Sequence, residues 1–108
     1  MIKFGLSDTD ISKINHLLKQ SAKVQKAIIY GSRAKGNYKP FSDIDLTLIA
    51  PDMDISSLYQ LENQIDDLLL PYKADISLYH QLSNPDLIEH IARVGQVFYQ
   101  HNITAERT

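Results

Sequence analysis

Asp43, Ile44 and Asp45 open the apolar run "DIDLTLIA". In an extended strand Ile44, Leu46, Leu48 and Ala50 fall on one side, and Asp43, Asp45, Thr47 and Ile49 on the other. At about 3.3 Å per residue, the two carboxylates project from one face roughly 6.5 Å apart. Aspartate is depleted in strands, and like charges this close raise one another's pKa, so the pair calls for positive compensation. Lysine or arginine neighbours are one solution, as in structural ion pairs. A divalent cation is the other. Mg²⁺ is commonly held by one or two carboxylates plus substrate phosphates, and a third acid on a neighbouring strand lets two ions sit about 4 Å apart. In "ADISLY", Asp75 alternates with Ala74, Ile76 and Leu78 and shares a face with Ser77 and Tyr79, so it has the type and facing required. On its own, an aspartate at a strand start is equally an ordinary turn or surface residue.

The chain supplies its own controls among its ten aspartates. Asp8-Thr9-Asp10 and Asp52-Met53-Asp54 sit where helices begin, and capping accounts for both. Ahead of the acidic strand, Gly31 and Ser32 follow the apolar "KAIIY". A glycine turn entering a helical turn leaves backbone N–H groups to cradle phosphate, and the serine hydroxyl adds a donor. Arg33, Lys35 and Lys39 crowd the same loop, either as an ordinary solvated loop or as triphosphate contacts. The stretch is not a P-loop: after the second glycine, Asn37-Tyr38 stands where Lys-Ser/Thr is required.

Helices and strands must position these groups. Ile11, Ile14, Leu17 and Leu18 have helical spacing after Ser7 or Asp8 as N-cap; Ile55, Leu58, Leu61, Ile65, Leu68 and Leu69 do so after Asp54, in what should be the longest helix. "NPDLIEHIARVG" combines an Asn84 cap, Pro85 in the first turn and Gly95 as the stop. "QVFY" reads as a last short strand. The order helix, strand, strand, helix, strand, helix, strand predicts a two-layer α/β (α+β) fold. A small mixed sheet would carry helices on one face and leave the other open.

With 108 residues, 44% hydrophobic content and no repeat or linker, a single domain over residues 1–100 is expected, followed by a polar tail at 101–108. A net charge of −2 argues against stable direct binding of nucleic acid. The absence of cysteine excludes a disulfide scaffold, a thiolate metal site and a cysteine nucleophile. No stretch is long and apolar enough to span a membrane, so a cytoplasmic protein is expected. The four histidines show no metal-ligand spacing, and His16 and His90 fall on helices, where exposure is the ordinary state. Tyr38 and Phe41 suit base stacking, a partner contact or loop packing.

Gly31-Ser32, ten residues, then Asp43-Ile44-Asp45 resembles the G-S-x10-D-x-D signature of the minimal nucleotidyltransferases of the DNA polymerase β superfamily. With the strand context and Asp75, the likeness covers residues 7 to 99, and the small size and final "GQVFY" are similar to MntA-type MNT antitoxins of HEPN toxin pairs. The resemblance implies a palm-like fold in which Asp43, Asp45 and Asp75 hold two Mg²⁺ ions, or Mn²⁺. An acceptor hydroxyl would attack the α-phosphate of a nucleoside triphosphate, ATP by family analogy, and pyrophosphate would leave. Asp75 would also assist proton removal, while Gly31 and Ser32 hold the β- and γ-phosphates, helped by Arg33 and Lys35, and Ser42 orients the first carboxylate. It further implies a HEPN partner chain that receives AMP on a tyrosine. This chain has no R-x4–6-H pattern and is not itself the HEPN member. Two other readings stand beside this: a catalytically silent antitoxin or nucleotide-binding module that covers its partner, and a free-standing aminoglycoside-type enzyme, for which no substrate domain is visible. The oligomeric state, homomeric or heteromeric, is left open.

Overall fold

The computed structural model describes residues 2–101. A hairpin absent from the sequence reading opens the chain, pairing β1 (Ile2–Lys3) with β2 (Leu6–Ser7). Then come α1 (Asp8–Gln20), β3 (Lys26–Tyr30), α2 (Gly31–Lys35), β4 (Ile44–Ile49), α3 (Ile55–Asp66), β5 (Ala74–Leu78), a 3₁₀ turn (Tyr79–Gln81), α4 (Pro85–Val94) and β6 (Gln96–Gln100). The expected caps form: Ser7 Oγ accepts from the Asp10 amide at 3.1 Å and Asp54 Oδ1 from the Ser57 amide at 2.8 Å. Asn84 Oδ1 accepts from the Asp86 amide at 2.9 Å. The longest helix is α1, with 13 residues against 12 in α3. The chain leaves α3 through tight turns at Leu68 and Leu69, whose amides reach back three residues, before it enters β5.

The four-stranded sheet has the order β5-β4-β3-β6. β3 is antiparallel to both its neighbours, whereas β4 and β5 are parallel, joined through α3. Ala27 and Ile29, Ile44, Leu46 and Leu48, and Ile76 and Leu78 point to one face, where Ile14 and Leu18 of α1 and Leu58, Leu61 and Ile65 of α3 complete the core. Burying a side chain of this kind is worth about 1.5–3 kcal/mol, so this face fixes the register of every strand.

α/β architecture is as expected, with one difference in the layers. The second face is not left open: α4 lies across its β3 side, with His90 against Tyr30 and Gly95 against Ile28. Ile91 is buried there, outside the main core cluster. β3 is why. Lys26, Ile28 and Tyr30 share the face that carries Asp45, and an exposed Ile28 and Tyr30 would leave an apolar strip that α4 covers. The expected tail lies outside the described residues except for His101, whose amide bonds the Gln25 carbonyl at 2.9 Å. Among the described residues, no helix is long and apolar enough to cross a membrane.

Candidate active site

On the second face, strand register assembles two polar rows. Tyr30 pairs with Asp45, and Asp45 with Asp75; one step inward, Ile28 pairs with Thr47, and Thr47 with Ser77. Neighbouring strands lie about 4.8 Å apart, so Asp45 and Asp75 stand side by side. Beneath them the Ser77 hydroxyl donates to the fully buried Thr47 Oγ1 at 3.0 Å. Asp43 is exposed and lies immediately before β4, off the regular ladder.

The charges are uncompensated. Burial pushes the Asp45 carboxyl above its ordinary value, Asp75 and Asp43 push it further, and only His90 in its charged form would pull it back. Burial, and then Asp45, also raise the Tyr30 phenol; Ser77 counters and Asp75 adds to the rise. Among the described residues none of the three aspartates is ion-paired with lysine or arginine. That removes the ion-pair solution.

Gly31 closes one side. Its φ is +75°, a conformation that favours glycine, and any Cβ here would run into Asp45 Oδ2. The glycine thus brings the backbone against a carboxylate. Its amide donates to His90 Nε2 at 3.2 Å. Ser32 follows in α2, half-buried, and Lys35 is exposed in the last turn.

Arg33 is placed elsewhere than the sequence suggested. It is 2% exposed, and its guanidinium donates to the carbonyls of Phe4 at 2.9 Å, of Ser42 at 2.9 and 3.1 Å, and of Pro40 at 3.3 Å. The rings of Tyr38 and Tyr72 flank it, 5.3 and 4.7 Å from its centre. The side chain clamps the loop that leads to Asp43 and turns no donor to the acids. Ser42 belongs to the same clamp: its hydroxyl accepts from the Lys39 amide at 2.8 Å.

Among the described residues, no three His, Asp or Glu side chains gather closely enough to enclose an ion. What the structure brings together is the Asp45–Asp75 pair, with Asp43 in electrostatic range. Hard oxygen donors with unpaired charge suit Mg²⁺, whose sites take one or two carboxylates and leave the remaining positions to phosphate and water. The residues therefore fit a dication completed by its substrate.

Sequence reasoning missed His90 and Tyr30. Leu87, His90, Ile91 and Val94 share one stripe of α4, which was the available signal that this imidazole faces inward. Its target lies 59 positions away and leaves no local trace.

Residues 12–104 match the family described as polymerase beta, nucleotidyltransferase. The chain belongs to that family. This polymerase beta nucleotidyltransferase domain is 33% identical over 76 residues to a Methanocaldococcus jannaschii protein named "Putative protein adenylyltransferase MJ1217", covering 69% of this chain and 76% of the relative. Its fold matches a crystal structure of a toxin–antitoxin with AMP-PNP, with a TM-score of 0.70 and 23% identity, over 89% of this chain and 77% of that one. It also matches a structure of the tri-AMPylated Shewanella oneidensis HEPN toxin in complex with MNT antitoxin, with a TM-score of 0.65 and 21% identity, over 91% and 76% of the two chains. At those identities the structural likeness is one of fold. The stretches Gly31-Ser32 and Asp43-Ile44-Asp45 lie within the matched residues.

Proposed function

We propose that this nucleotidyltransferase transfers AMP from ATP to a tyrosine hydroxyl of a HEPN partner and so acts as an antitoxin. The observation that carries the chemistry is the registered Asp45–Asp75 pair, ion-paired with no lysine or arginine among the described residues, against the Gly31 turn. The M. jannaschii relative supports protein adenylylation, and the toxin–antitoxin neighbours support the partner.

Asp43, Asp45 and Asp75 would hold two Mg²⁺ ions, or Mn²⁺. When bound, the metal offsets the negative charge that gathers on the reacting phosphates. Gly31 lets the backbone approach the β- and γ-phosphates, Ser32 donates its hydroxyl to them, and Lys35 adds a positive charge at the mouth. The acceptor oxygen attacks the α-phosphorus, the bond to the β-phosphate oxygen breaks, and pyrophosphate leaves. Asp75 takes the hydroxyl proton, directly or through water. Arg33 and Ser42 act by fixing the loop that carries Asp43. The protein's work is mostly placement of charge.

The test is incubation with α-labelled ATP, Mg²⁺ and the HEPN partner. Label should appear on the partner and vanish with Asp43→Asn plus Asp45→Asn; equal labelling by that variant sinks the mechanism. One observation favours a second reading, steric neutralisation. Phe41, two residues before Asp43 and 74% exposed, offers an apolar contact to a partner. Undiminished neutralisation in cells by the double asparagine variant would decide for it.

A further inference from the structure

We propose that His90 is a positioning residue for nucleotidyl transfer: from α4 its imidazole accepts the Gly31 amide and holds the glycine backbone against the Asp45 carboxylate. This rests on the catalytic reading above and adds to it a residue outside the signature. Four observations carry it.

The turn at Gly31 has no local support. α2 begins directly after Tyr30 with no side-chain cap, so its first amide has no partner within its own segment. His90 Nε2 meets that amide at 3.2 Å across 59 residues. The imidazole is itself held. Its ring meets Tyr30 edge-on, with centroids 6.1 Å apart and planes at 81°, and α4 is anchored beside it by the buried Ile91. Gly31 then transmits the position, because its Cα lies where any added carbon would strike Asp45 Oδ2. A chain of contacts thus runs from α4 through one hydrogen bond to the carboxylate that aligns with Asp75. To accept from the amide the ring must be neutral and carry its proton on Nδ1.

Three substitutions separate acceptor from filler. His90→Phe keeps a ring against Tyr30 and removes the acceptor; His90→Gln keeps an acceptor on a flexible stem; His90→Ala removes both. Initial rates with labelled ATP should fall roughly tenfold in kcat for Phe and Ala, the scale of one partly buried hydrogen bond, with KM for ATP little changed and most of the rate restored by Gln. Wild-type rates with Phe, or equal loss in all three, overturn the assignment. Asp45→Asn runs alongside as the control on the reaction itself: transfer by that variant would remove the catalytic reading, whatever His90 does. A second measurement needs no turnover. The chain has four glycines, so ¹⁵N-glycine labelling gives a short, readable amide spectrum of the nucleotide-free protein. The Gly31 resonance should move upfield and exchange faster in His90→Phe, and stay near its wild-type position in His90→Gln. An unmoved Gly31 signal in the Phe variant refutes the hydrogen bond and with it the proposal.

Discussion

Burial and two neighbouring acids resist the charge on Asp45. Its folded-state pKa lies above the ordinary 3.8, so the folded chain binds the proton more tightly than the unfolded one. The contribution of Asp45 to stability is therefore greatest below the ordinary carboxylate value and is lost as pH rises through the raised one. Asp45→Asn should abolish transfer and raise Tm at pH 7, with the gain shrinking towards pH 3.5; melting curves across that range check the sign, and an equal gain at both ends contradicts it. Gly31→Ala is the opposite case. A φ of +75° costs an L-residue about 1–2 kcal/mol, and the methyl group must also displace the Asp45 carboxylate. A loss of Tm together with transfer below a hundredth of wild type is expected, read by melting and labelled-ATP assay. The acids were legible residue by residue, since alternation fixes which side of a strand Asp45 and Asp75 occupy. Arg33 was not. Its partners, the carbonyls of Phe4, Pro40 and Ser42, are backbone groups that any sequence supplies, so nothing in the letters separates a buried clamp from a phosphate contact.

Helices and strands announced themselves through caps and periodicity, because those signals act within one turn or one pleat. The β1–β2 hairpin did not, since two two-residue strands are too short for alternation to register. The α2 turn and the loop after it act as one element, pinned by Arg33. Lysine cannot reproduce a planar fork that serves three carbonyls, so Arg33→Lys should cost about 2–4 kcal/mol in unfolding free energy by urea titration. Exposed Lys35 makes the contrast. Lys35→Ala should leave stability within about 0.5 kcal/mol of wild type while raising KM for ATP several-fold. If instead Lys35→Ala destabilised and Arg33→Lys changed only KM, the two roles would be exchanged.

For the whole molecule, folding and catalysis draw on the same sheet in opposing senses. One face buries Ile29, Leu46 and Ile76 and stabilises; the other gathers carboxylates whose charge burial opposes, a penalty that the proposed cation and triphosphate would offset. Mg²⁺ with AMP-PNP should therefore raise Tm more than either alone, by about 2.7 kcal/mol of added stability at a hundredfold excess over Kd, and EDTA or Asp45→Asn should remove the gain. The strand order, and α4's place over β3, depended on contacts between distant segments, which is why the sequence reading left that face bare. The parallel pairing of β4 with β5 has a wider consequence. Slide β5 by one residue and Asp75 would enter the apolar interior while Ile76 met water, a double penalty of several kcal/mol. A mis-registered chain is thus unstable as well as inactive, and cellular proteolysis can discard it: the oily side of the sheet proofreads the alignment of the acidic side.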